Sequence, residues 1–86
     1  MKHLYYERLK TFLQKEIIDS AVEHKFTNEK ASETLRVSSR NYSNIKAGKS
    51  SCSTETLCVF IVKMCVDRNA FIDRLITIIE EAESEL

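Results

Sequence analysis

All six residues from Ser39 to Asn44 carry hydrogen-bonding side chains: Ser39, Arg40, Asn41, Tyr42, Ser43 and Asn44. Only Tyr42 also brings a large aromatic body. Their chemistry is recognition rather than bond-making. A guanidinium offers parallel donors, a carboxamide offers a donor and an acceptor, and a hydroxyl offers both. Tyr42 and Ile45 lie three positions apart, so a helix brings them to one side. Ser38 is a natural N-cap before this segment, and Gly48, the only glycine of the chain, suits a left-handed stop after it. The pattern predicts a short helix over Ser39–Ala47, fastened by Tyr42 and Ile45, with a polar flank free to touch a polar partner.

Other chemistries find little support. There is no glycine-rich phosphate loop, no supported Ser-His-Asp or Cys-His arrangement, and no HExxH sequence. An enzyme is not expected, nor is a cofactor or metal. Cys52, Cys58 and Cys65 are odd in number, widely spaced and without a neighbouring histidine. Cys58 and Cys65, seven apart, read as small apolar core residues in a reducing, cytoplasmic compartment. His3 and His24 read as surface residues. Met1 to Leu13 mixes charge throughout, unlike a secretion signal, and the apolar run Leu57–Val62 is too short to cross a bilayer.

Net charge is zero, but its layout is uneven. Residues 25–63 carry seven basic and three acidic groups, a balance of +4, whereas residues 64–86 carry two basic and six acidic, a balance of −4. The middle of the chain attracts polyanions and the tail repels them.

The surrounding elements all read as helices. With 86 residues, no proline and one glycine, the chain suits a single all-α domain of five helices over residues 1–86. Leu9, Phe12, Leu13, Ile17 and Ala21 recur at helical spacing within a first helix, Leu4–Glu23, with Tyr5 and Tyr6 packing near its start. Thr27 caps a second helix over Asn28–Leu35 that buries Ala31 and Leu35. Ser53 caps a fourth, Thr54–Cys65, apolar almost all round and therefore expected in the middle of the fold. Asp67 caps a fifth that runs to about Ala82 and frays into the acidic end. Phe71, Ile72, Leu75, Ile76 and Ile79 cover more of that helix than one core contact needs.

The stretch "FTNEKASETLRVSSRNYSNIKAGKSSCSTETL" resembles the XRE (Cro/phage-repressor) family of helix-turn-helix DNA-binding proteins. The similarity covers residues 26–65 without a gap. It rests on Phe26-Thr27-Asn28-Glu29, Leu35-Arg36-Val37-Ser38, Ile45-Lys46-Ala47-Gly48-Lys49, and Cys52-Ser53-Thr54-Glu55-Thr56-Leu57. Departures are Arg36 where the family favours glycine, Asn28 for glutamine, Ser32 for alanine and Cys52 for proline. The resemblance implies a lambda-repressor-like fold with a helix-turn-helix motif at 28–47. By matching position it implies base contacts from Ser39, Arg40 and Asn44, with Ser43 and Asn41 secondary. It implies phosphate contacts from Asn28, Ser38, Lys49 and Ser50, with the Tyr42 hydroxyl a further phosphate donor and Lys46 and Lys30 adding long-range attraction. Phosphate contacts set register while base contacts choose sequence.

The expected partners are therefore double-stranded DNA and a second copy of the chain, two recognition helices reading an inverted repeat. Residues 67–86 are the candidate dimerisation element, through Phe71, Ile72, Leu75, Ile76 and Ile79. No membrane and no small molecule enters this reading. Two alternatives stay open: a protein-interaction module on the same scaffold, and the DNA-binding antitoxin of a toxin pair.

Overall fold

The computed structural model describes residues 4–86, so His3 lies outside the described residues. It is all-helical, with the order α1 (Leu4–His24), α2 (Asn28–Leu35), α3 (Ser39–Lys46), α4 (Thr54–Lys63) and α5 (Arg68–Ser84). Four helices begin at the residues expected from sequence. The side chains of Thr27, Ser38, Ser53 and Asp67 accept hydrogen bonds from the backbone N–H groups of Lys30, Asn41, Thr56 and Ala70.

Three helix ends follow one pattern. After α1, α2 and α3 the chain turns through left-handed residues Lys25 (φ 59°), Arg36 (φ 60°) and Gly48 (φ 73°). In each case the next residue bonds back five positions: Phe26 N–H to Ala21, Val37 to Ser32, Lys49 to Asn44. These paired bonds satisfy carbonyls that a helix end otherwise leaves open. Arg36 adopts the conformation that glycine favours, at a cost of about 1–2 kcal/mol for a residue with a Cβ.

α1 packs against α3 and α5, while α2 packs against α3 and α4. α1 and α5 run antiparallel, because Tyr5 donates to Glu83 and Arg8 pairs with Glu81 and Glu85 at one end. Further along, Arg74 clasps Glu16 through two bonds of 2.7 and 2.8 Å. The acidic end is thus tied to α1, and α5 continues to Ser84 rather than fraying after Ala82. Phe71 is the hub between helices: it stacks on Phe12 of α1 at 5.6 Å and meets the edge of Phe60 of α4 at 5.2 Å.

Three expectations need correction. α4 is not the central helix. Phe60 and Thr56 are buried, but Cys58 is exposed and Val62 is 58% exposed. A ten-residue helix packed on α2 from one side has, among the described residues, no element to cover its opposite side. Cys58 is accordingly no core residue, while Cys52 and Cys65 are half-buried against the core. Tyr6 is half exposed, with the Lys10 ammonium 5.5 Å from its ring centre. His24, an exposed residue as expected, nevertheless stacks on Phe26 at 4.9 Å, and its Nε2 lies 2.8 Å from the Met64 carbonyl oxygen.

Candidate nucleic-acid interface

α3 is held from within. Tyr42 and Ile45 are buried at 1% and 2% exposure. They pack in the same core as Ala31 and Leu35 of α2. The tight turn Arg36–Ser38 sets α3 directly after α2. Gln14 of α1 adds a clamp the sequence did not announce: its amide donates to the Lys46 carbonyl at 2.6 Å. A Cβ on Gly48 would stand 3.3 Å from the same Gln14 side chain. The end of α3 is therefore located by α1 as well as by its own turn.

The opposite side of α3 faces solvent. Ser39, Arg40, Asn41 and Ser43 are exposed and Asn44 is half-buried. Arg40 and Asn44 are four positions apart, and Arg40 and Ser43 three, so these side chains stand on one free face. Among the described residues, no side chain pairs with the Arg40 guanidinium.

The sequence-expected phosphate group divides. Asn28, Ser38 and Lys49 are exposed. Lys46 donates to Asn28 Oδ1 at 2.8 Å, bridging α2 and α3 and leaving the Asn28 amide nitrogen free to donate. Lys46 also lies 5.6 Å from the Tyr42 ring centre. The Ser38 oxygen accepts the Asn41 N–H at 3.0 Å, which leaves its own hydrogen available. Ser50 departs from expectation. Its Oγ is buried and has no partner among the described residues, so it does not reach an outside phosphate. The same holds for the Tyr42 hydroxyl, buried and unpartnered, where desolvation also pushes the phenol pKa up.

The expected dimer face also changes. Phe71 is 0% exposed and belongs to the core, so it is removed from that face, and Leu75 packs partly against the core. Ile72, Ile76 and Ile79 stay exposed at 37, 47 and 39%.

Comparison with known proteins returns no matching family model, curated protein or solved structure. Geometry and residue chemistry carry the functional reading.

Proposed function

We propose that this chain binds double-stranded DNA in a sequence-specific way and regulates transcription as a homodimer on an inverted repeat. The observation that carries the reading is the free side of α3, where Arg40, Ser43 and Asn44 point away from a core that holds Tyr42 and Ile45. A major groove admits a helix of this kind, and its base edges offer partners for those groups. Arg40 matches the two acceptors of guanine, and Asn44 matches the acceptor and donor of adenine. Asn28, Ser38 and Lys49 flank the helix as phosphate donors, and Lys30, Arg36 and Lys46 add positive charge around it. In this reading α2 and α3 form a helix-turn-helix, and a cytoplasmic setting goes with the three free thiols.

Selection from a random duplex library tests the proposal. The expected product is an enriched palindrome whose half-sites lie about 34 Å apart, with affinity falling steeply as salt rises. A library that emerges unenriched, or binding that ignores salt, defeats it. The second reading, a module that docks another protein, draws on the exposed isoleucines of α5 and predicts that salt-insensitive outcome.

A further inference from the structure

α5 presents a second surface whose residues form a palindrome. Along one side run Arg68, Ile72, Leu75, Ile76, Ile79 and Glu83, in steps of four, three, one, three and four. At 100° per residue all six lie within a stripe of about 100°. The core side of the helix, marked by Phe71 and Ala82, is adjacent, and the contacts of Tyr5 with Glu83, Arg8 with Glu85 and Arg74 with Glu16 tie α5 to α1. Three exposed isoleucines in line are uncommon for a surface that meets only water.

From this self-complementary spacing we infer that α5 is a homodimer seam with one specific register, in which two copies pack antiparallel about a two-fold axis between Leu75 and Ile76. In that register Arg68 of each copy faces Glu83 of the other, Ile72 faces Ile79, and Leu75 faces Ile76. Charge complementarity points to a second copy as the occupant, because the basic and acidic ends of one stripe meet their opposites on an antiparallel copy, whereas a parallel pairing would set Arg68 against Arg68 and Glu83 against Glu83. The charged ends are available. Arg68 spends Nε and Nη2 on the Ile61 and Val62 carbonyls, each at 3.2 Å, which anchors it and leaves Nη1 free. Tyr5 occupies only Oε2 of Glu83. The bonds from Arg68 also bring the start of the stripe to the end of α4 that exposes Val62, extending the apolar surface.

This deepens the homodimer within the proposed function, but it is tested without DNA. The seam spans about 22 Å of helix, which is small for an interface, so dissociation on the order of micromolar is expected. Sedimentation of the full chain over a concentration series should pass from monomer to dimer. Ile76→Asp should stay monomeric throughout with helicity unchanged, because Ile76 is half exposed in the single chain. Glu83→Arg, which leaves the Arg68 anchor in place, should weaken self-association roughly tenfold or more by like-charge contact. Mixed with Arg68→Glu, it should form a heterodimer in preference to either homodimer. A parent chain that remains monomeric, or a dimer that survives Ile76→Asp, overturns the seam. A dimer lost in Ile76→Asp yet indifferent to both charge reversals overturns the register. Loss of base reading with sedimentation unchanged would count against the DNA proposal alone.

Discussion

α3 and α5 bury one side each in the same way and expose opposite kinds of surface. α3 hides Tyr42 and Ile45, and α5 hides Phe71 and Ala82. The free side of α3 is Arg40, Ser43 and Asn44, while that of α5 is Ile72, Ile76 and Ile79. The hidden sides are alike because both answer to one core. In the proposed reading, the free sides differ because they meet different partners. Polar groups in water lose little by waiting and gain only from a surface with matched donors and acceptors. Apolar groups in water are already unfavourable, at about 25 cal/mol per Å², and gain from any close-fitting cover.

The comparison breaks most severely at the shared core. Tyr42→Ala should cost about 3–5 kcal/mol in urea unfolding and release α3. Tyr42→Phe should be neutral or slightly stabilising, since the hydroxyl it removes is buried without a partner. A large loss in the phenylalanine variant would mean that the hydroxyl bonds to something after all.

On the free side the effect moves from folding to binding. Arg40→Ala should leave the melting temperature in place and weaken binding to the selected duplex by about 1–3 kcal/mol, with base choice relaxed at one position. Titration against the parent site decides this, and equal affinity removes Arg40 from the base-reading group.

Smaller effects sharpen how α3 is positioned. Gly48→Ala should destabilise by about 1–2 kcal/mol, because the left-handed backbone and the Gln14 contact both oppose a Cβ. Arg36→Gly should do the reverse and stabilise by about 0.5–1 kcal/mol, through relief of positive φ at a turn residue. Thermal unfolding of the two variants side by side checks both signs.

Much of this architecture is legible in the order of residues. The four N-caps were legible because a capping side chain bonds a backbone group three residues ahead, a contact written entirely in neighbouring letters. Tyr42 and Ile45 were legible as anchors because they are the large apolar residues of an otherwise polar helix. Phe71 and Ile72 were not separable in that way. They are adjacent and both apolar, and which one enters the core depends on where Phe12 and Phe60 stand. Gln14 carries no local signal of its role, since its partner at Lys46 lies 32 positions away. The inward turn of Ser50 and the uncovered flank of α4 escaped for the same reason.

By itself, the order of residues determined that the chain is helical and where most helices begin and end. Caps, periodicity and left-handed stops act within five residues and need no distant partner. Tertiary structure decided which part of each broad apolar arc became interior and which was left outside. Burial is a relation between elements far apart in the chain, and a helix that is apolar on two sides can satisfy only the side its neighbours reach.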